Sequence, residues 1–235
     1  KHPALLMVDT ISSLGSLDYR HDEWGVDVTV GGAQKGLMLP PGMSFNAVSD
    51  KALNAAKSSK LLKSFWSWDD MLTMNKVGFF PYTPATQMLQ GLAVSIDMLH
   101  EEGLDNVFAR HARLAEATRR AVRAWGLETL CRDSKYYSPT ITAVLLPDGH
   151  DADAFRGLAL ETFNISYGAS FGPYAKKYFR IGHLGDINDG WMMGVLAMTE
   201  LTLSLARIPH KKGGVQAAMD YIASVHAGSA RAAAE

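Results

Sequence analysis

Two short apolar segments near the start of the chain each end in a turn with an ionisable side chain, and this pattern constrains the fold most. The run Ala4–Val8 ends in Asp9, and the run Val26–Val30 leads into a glycine-flanked turn that holds Lys35. Short apolar runs of this kind are typical of parallel strands that are buried on both faces. Because such strands share one edge at their carboxyl ends, we expect Asp9 and Lys35 to lie where α/β proteins bind ligands.

Alternating strand and helix patterns continue to about residue 103. Met43–Val48 predicts a third strand, and Ser49 or Asp50 is a suitable cap for a helix that runs to about Leu62. A helical period follows from Ala85, and Gly103 is a typical helix stop. We therefore predict a first domain, of the α/β class, over residues 1–103.

The remainder of the chain, residues 104–235, predicts a smaller α+β domain. Its alternating segments Thr140–Leu146 and Tyr178–Ile181 predict strands. The predicted helices are one that begins at Asp105, followed by Asp151–Phe163, Asn188–Ala206 and Val215–Val225.

Composition argues against several classes of partner and setting. The chain has 23 Lys and Arg against 24 Asp and Glu, so its net charge of −1 gives no electrostatic reason to expect nucleic acid or an anionic membrane. No run reaches the roughly 18 apolar residues of a spanning helix. The single cysteine, Cys131, cannot form an internal disulfide, which favours a reducing, intracellular setting.

An arginine-rich stretch in the helix that follows Asp105 would favour nucleic acid in a basic chain. In a neutral chain a solvated helix face is the better interpretation. The stretch contains five arginines: Arg110, Arg113, Arg119, Arg120 and Arg123.

Asp9 and Lys35 together form the pair that pyridoxal phosphate requires, an amine for covalent attachment and a carboxylate for the pyridine nitrogen. The residues themselves leave a second interpretation open, in which Asp9 caps its turn and Lys35 faces solvent.

Two further polar side chains fall near one predicted strand. Arg180 offers a planar guanidinium for a bidentate pair with a carboxylate, although an arginine on a surface edge strand has the same pattern. His183 has no partner at metal-ligand spacing, so we interpret it as a structural histidine.

Asp69 and Asp70 are interpreted as an acidic helix start, and we predict no metal site.

Three blocks of sequence resemble the class V (fold type I) aminotransferases, most of all their serine–glyoxylate and alanine–glyoxylate branch. The first block combines Asp9–Gly15, Trp24–Val28 and Gly32–Gly42; the others are Phe79–Pro84 and Phe179–Asp186. Gly213-Gly214-Val215 before the last helix fits as well. The resemblance covers essentially the whole chain but only the C-terminal part of a family member. We therefore expect that residue 1 is not the natural N-terminus and that further site segments precede it.

The resemblance implies a fold and an activity. Residues 1–103 would be the C-terminal part of a PLP-binding large domain with a mostly parallel sheet, and 104–235 the small domain. The implied enzyme is a cytoplasmic homodimer with shared active sites that moves an amino group from serine, or a similar small amino acid, to glyoxylate by a ping-pong mechanism. Aspartate, alanine or ureidoglycine as donor, and a truncated, catalytically silent fragment, remain alternatives.

The resemblance also implies which residues hold pyridoxal 5'-phosphate. Lys35 would attach to it as a Schiff base and move the substrate proton, and Asp9 would pair with the pyridinium nitrogen. Ile11 would pack on one face of the ring, and Gln34 would hydrogen-bond its 3′-oxygen.

Two more roles concern the substrate and the partner subunit. Arg180 would bind the substrate α-carboxylate. Thr83 would reach the cofactor phosphate of the neighbouring subunit, which implies an obligate dimer.

Overall fold

The computed structural model describes residues 2–232, and the chain divides into two compact units between Leu104 and Asp105. The assignment of these units as a cofactor-binding large domain and a small domain stays a prediction.

The first unit is built on a three-stranded sheet with the order β1-β2-β3. Its strands are β1 (Met7–Asp9), β2 (Val28–Gly32) and β3 (Ser44–Val48), and its helices are α1 (Asp50–Lys57), α2 (Trp68–Asn75) and α3 (Thr86–Glu102). β1 is parallel to β2, with Asp9 opposite Val30, whereas β2 and β3 are antiparallel. Since β1 and β2 are parallel, Asp9 and the turn after Gly32 lie at the same edge of this sheet.

The prediction of a doubly buried strand over Ala4–Val8 is wrong. The strand begins at Met7, and the side chains of Leu5, Leu6 and Met7 are exposed, Met7 by 64%. β1 is the outer strand of its sheet in residues 2–232 and pairs with β2 alone, so its apolar side chains have few neighbours.

The first helix is shorter than predicted, because it ends at Lys57 rather than near Leu62. The hydroxyl of Ser58 donates to the carbonyl of Ala55, a local bond that competes with continued helix. Leu61 and Leu62 then follow as exposed residues outside any helix.

The second unit packs helices on an antiparallel sheet of order β4-β5-β6. Its strands are β4 (Glu128–Thr129), β5 (Ile141–Leu145) and β6 (Tyr178–Gly182), and its helices are α4 (Leu104–Ala124), α5 (Ala152–Phe163), α6 (Asp189–Leu205) and α7 (Gly214–Ala232). The predicted strands and helices of this unit are confirmed, except that α7 continues beyond Val225 and β4 was not predicted. Phe155 and Phe179, with ring centroids 4.3 Å apart, lie in a core that also contains Trp125.

The arginines of α4 form intramolecular contacts. Glu116 accepts hydrogen bonds from Arg119, Arg120 and Arg123, and Arg113 forms an ion pair with Asp189 at 3.0 Å. Charges that are paired in this way are typical of a solvated helix face and not of a nucleic-acid surface.

Among residues 2–232, no helix is long and apolar enough to cross a lipid bilayer.

Candidate active site

Asp9 ends β1 with its carboxylate exposed at the edge of the sheet. Its Oδ1 accepts a hydrogen bond of 2.8 Å from the backbone N–H of Ile11, which fixes the start of the following turn. Within residues 2–232 the second carboxylate oxygen, Oδ2, has no hydrogen-bond partner. Asp9 therefore caps its turn, and its second carboxylate oxygen is left without a hydrogen bond in the described residues.

Lys35 lies in the tight turn that follows β2. Its carbonyl accepts from the N–H of Met38 at 2.9 Å, and Met38 has a left-handed backbone with φ of 59°. The N–H of Ala33, at the start of the turn, donates to the carbonyl of Met43. The turn is thus held at both ends, while the half-buried Lys35 side chain has no hydrogen bond in the described part of the chain.

Gly36 allows a second loop to lie directly against this turn. A Cβ atom at Gly36 would collide with the carbonyl oxygen of Leu14 and would lie 2.6 Å from Oγ of Ser16. The Ser16 hydroxyl is 1% exposed and lacks a hydrogen-bond partner among the residues that the structure describes. An unpartnered buried hydroxyl beside the lysine turn marks a place where the protein leaves a polar group unsatisfied.

Gly32 brings Ile11 and Gln34 together. A Cβ atom there would lie 3.2 Å from Cγ2 of Ile11 and 3.1 Å from Oε1 of Gln34. The absence of that atom leaves a cradle between an apolar side chain and an amide, at the sheet edge that also carries Asp9 and Lys35. An apolar face, a hydrogen-bonding amide, a carboxylate and an amine fit the donor set of a substituted pyridine ring.

Thr83 lies in the exposed loop between α2 and α3, and its side chain makes no hydrogen bond within residues 2–232. Within residues 2–232 no hydrogen bond joins Thr83 to Asp9 or Lys35. Its predicted role needs the neighbouring subunit and stays a prediction.

Arg180 lies on β6 in the second unit. Its Nε donates a hydrogen bond of 2.7 Å to the carbonyl of Ala169, and its Cζ lies 4.3 Å from the ring centroid of Phe171. The Nη1 and Nη2 atoms have no partner among the described residues. The guanidinium therefore offers two parallel N–H donors, the arrangement that a carboxylate accepts.

His183 follows β6 and is fully buried with both ring nitrogens satisfied. Its Nδ1 lies 2.9 Å from the carbonyl of Pro139, and its Nε2 lies 2.9 Å from the hydroxyl of Thr142. Because a carbonyl only accepts, Nδ1 carries the proton and Nε2 accepts from Thr142. Burial lowers the pKa of His183 to about 4, helped by the nearby Arg119 and His111. The interpretation as a structural histidine is confirmed.

Asp69 and Asp70 fall in the first turn of α2, as predicted for an acidic helix start. Across residues 2–232, no group of three or more His, Cys, Asp or Glu side chains is placed to hold a metal ion.

Sequence reasoning did not find the loop that surrounds Arg180. Gly168 forms an isolated antiparallel bridge with Arg180, and Ala169 and Phe171 contact its side chain. No periodicity marks this loop, and the only local signal is the turn sequence Phe171-Gly172-Pro173.

Comparison with known proteins identifies the family of this chain. The profile of the family "Aminotransferase class-V" matches residues 1–180. The chain belongs to the class-V aminotransferase family.

Three class-V proteins are similar to this chain over nearly its whole length. Serine–glyoxylate aminotransferase of Hyphomicrobium methylovorum is 50% identical over 224 residues, which are 94% of this chain and 55% of the relative. L-aspartate–glyoxylate aminotransferase of Paracoccus denitrificans is 42% identical over 100% of this chain and 59% of its own. The crystal structure of ureidoglycine–glyoxylate aminotransferase from Bacillus subtilis is 30% identical, with a TM-score of 0.85 over 93% of this chain and 58% of that one.

These comparisons confirm the predicted family and the α/β fold of the fold type I aminotransferases. The chain spans somewhat more than half the length of the curated relatives that it matches.

Proposed function

We propose that this chain carries the cofactor-binding lysine and the substrate-binding arginine of a pyridoxal-phosphate transaminase that moves an amino group from serine to glyoxylate. The observation that carries the proposal is the shared sheet edge of Asp9 and Lys35, with Gly32 open between Ile11 and Gln34. The similarity to a serine–glyoxylate aminotransferase, 50% over nearly the whole chain, supports the substrates.

The residues at this edge suit pyridoxal 5'-phosphate. Asp9 would use its free carboxylate oxygen to hold the proton on the pyridine nitrogen, Ile11 would pack against the ring and Gln34 would donate to its 3′-oxygen. When bound, the cofactor withdraws electrons from the substrate α-carbon.

Lys35 would supply the acid–base chemistry. Its Nζ would accept the proton from the substrate α-carbon and return one during transfer, which requires the amine to be close to the reacting atoms. The turn that is held by Ala33 and Met38 fixes the backbone from which the side chain reaches.

Arg180 would bind the carboxylate that the amino acid and the 2-oxo acid have in common. A single carboxylate site explains how one enzyme accepts both partners of a ping-pong transfer.

The proposal includes a homodimer in which Thr83 contacts the cofactor phosphate of the neighbouring subunit. Large apolar side chains are exposed in the segment that precedes Thr83 in sequence, a feature typical of protein interfaces. They are Leu61, Leu62, Phe65, Trp66, Phe79 and Phe80. We also infer a cytoplasmic location, since Cys131 is the single cysteine and is free.

Aspartate is the second candidate donor, because the L-aspartate–glyoxylate relative aligns over the whole chain at 42% identity. Ureidoglycine and alanine are weaker candidates within the same reaction class. A donor series with glyoxylate as acceptor ranks them by kcat/KM, and serine is expected to rank first.

Borohydride reduction of the purified protein, followed by peptide mapping, tests the proposal directly. Reduction fixes the cofactor on the lysine that holds it, and we expect a phosphopyridoxyl group on Lys35. Lys35→Ala should remove the label, whereas Lys57→Ala, on an exposed helix of the same unit, should retain it. Absence of label after incubation with pyridoxal phosphate would contradict the proposal and favour a catalytically silent fragment.

A further inference from the structure

Each of the four residues in the loop 168–171 forms a hydrogen bond with the segment 176–180, which ends at Arg180. The backbone of Gly168 exchanges two hydrogen bonds with that of Arg180, at 2.9 and 3.0 Å. The carbonyl of Ala169 accepts from Nε of Arg180. Oγ of Ser170 accepts from the N–H of Lys176 at 2.6 Å. The N–H of Phe171 donates to the hydroxyl oxygen of Tyr178 at 3.0 Å.

We infer that this loop, through Gly168 and Phe171, sets the orientation of the Arg180 guanidinium and is thereby a positioning device for binding the substrate carboxylate. The inference rests on the proposed function, in which Arg180 binds that carboxylate.

Gly168 provides the space in which the Arg180 side chain lies. A Cβ atom at Gly168 would lie 3.0 Å from both Cβ and Nε of Arg180 and 3.2 Å from its Cζ. These distances are shorter than van der Waals contact, so a larger residue has to displace the arginine side chain. The backbone of Gly168 has no left-handed conformation, so this close approach is the reason for a glycine here.

Phe171 covers one face of the guanidinium. The ring is 62% exposed, and it contributes no buried core area that would explain its position. A cation over an aromatic face is attracted to it by the ring quadrupole, which favours the position of the guanidinium against the Phe171 ring. Together with the Nε bond to Ala169, this contact leaves the two Nη atoms as the free edge of the group.

Preorganisation of this kind lowers the entropy that substrate binding has to remove from a long side chain. We therefore expect that loss of the Phe171 ring weakens the binding of the substrate carboxylate by Arg180 and leaves the rate of the chemical step unchanged. Both the amino acid and the 2-oxo acid are affected, since the carboxylate is common to them.

The test compares Phe171→Leu, Phe171→Tyr and Gly168→Ala in the holoenzyme, with Gly157→Ala as control. Gly157 lies on α5, and a Cβ there meets nothing within 4 Å. We expect KM for serine and for glyoxylate to rise about fivefold in Phe171→Leu and about tenfold in Gly168→Ala, with kcat within about twofold. Phe171→Tyr retains an aromatic face and is expected to keep KM for both substrates at the wild-type value.

Calorimetry with glycolate, an unreactive carboxylate, and with glycolamide, its uncharged counterpart, provides a readout besides activity. The preference for glycolate should fall in Phe171→Leu and Gly168→Ala and stay at the wild-type value in Phe171→Tyr and Gly157→Ala. If Gly168→Ala does not fold, Phe171→Leu still decides, because the ring is largely exposed.

Arg180→Leu separates the two levels of the proposal. If Arg180→Leu keeps the preference for glycolate, the carboxylate role of Arg180 itself is wrong. If Arg180→Leu abolishes the preference while Phe171→Leu and Gly168→Ala keep it, the positioning role alone is wrong.

Discussion

The indole nitrogen of Trp125 donates a hydrogen bond of 2.7 Å to Oε2 of Glu200, across the core of the second unit. The same carboxylate accepts from the backbone N–H groups of Gly213, Gly214 and Val215, at 3.0 to 3.3 Å. Glu200 on α6 therefore caps the start of α7 and anchors the largest buried side chain. This one carboxylate therefore joins α6 both to the start of α7 and to Trp125.

Replacement of this carboxylate is expected to destabilise the second unit. Glu200→Ala leaves the indole N–H and the first N–H groups of α7 without an acceptor, a loss of about 2 kcal/mol in the free energy of unfolding. Urea denaturation measures it, with Glu161→Ala, an exposed residue on α5, as control. Equal stability of the two variants would contradict the capping role.

The same site predicts an acid dependence of stability. Burial raises the pKa of Glu200, but the bonds from Trp125 and the α7 backbone outweigh it and leave the pKa below 4.5. A lowered pKa in the folded state stabilises above the unfolded value of 4.5, and that contribution is lost as the pH falls through the folded value. Glu200→Ala should accordingly flatten the loss of stability below pH 4.5.

Gly214 is expected to tolerate no side chain. A Cβ atom there would collide with the indole of Trp125, which is fully buried. Gly214→Ala should cost about 2 kcal/mol through overpacking. Gly194→Ala on α6 is the control, because a Cβ at that position meets nothing within 4 Å and alanine favours helix. A thermal melt in which both variants match the wild type would refute the close contact.

Asp27 links three segments of the first unit and is expected to govern its acid stability. Its carboxylate accepts from Nζ of Lys51, the N–H of Leu6 and the hydroxyl of Ser49, and these bonds, led by that of Lys51, lower its pKa to about 2. The stabilisation is full above the unfolded pKa of 3.8 and is lost as the pH falls toward 2. Asp27→Asn should lower the melting temperature at neutral pH and reduce the acid dependence between pH 4 and 2.

A control for this prediction is Asp22→Asn, which changes an exposed carboxylate without a side-chain partner in the described part of the chain. Asp27→Asn with an unaltered melting temperature and acid limb would show that the link to Lys51 and Leu6 contributes nothing.

Local sequence patterns predicted the strands that position the candidate site residues. Asp9 and Lys35 each follow an apolar run, and the alternation along Tyr178–Ile181 gave the strand that carries Arg180. In each case the signal for the strand lies within a few residues of the candidate side chain, so the local pattern indicates its place in the fold. The predicted role of each side chain came from the family resemblance.

Contacts between distant segments were not predictable in this way. Burial of β1 was overestimated because an apolar run shows which residues suit a core, whereas the number of neighbouring strands depends on topology. The cradle of Arg180 was missed because Gly168 and Phe171 meet it across a loop without periodicity. The end of α1 depends on a hydroxyl bond of Ser58 that competes with the helix.

The buried His183 is expected to make the protein less stable under mildly acidic conditions. Burial lowers its pKa from 6.5 in the unfolded chain to about 4, so the unfolded state binds a proton that the folded state excludes. The stabilisation is complete above pH 6.5 and is lost as the pH falls to about 4. His183→Gln should remove that dependence, and His150→Gln, which alters a histidine without a side-chain hydrogen bond in residues 2–232, should retain it. Ring nitrogen shifts in NMR should show the proton on Nδ1 at neutral pH, donated to Pro139. A His183 ring that titrates near pH 6.5 in the folded protein would contradict this arrangement.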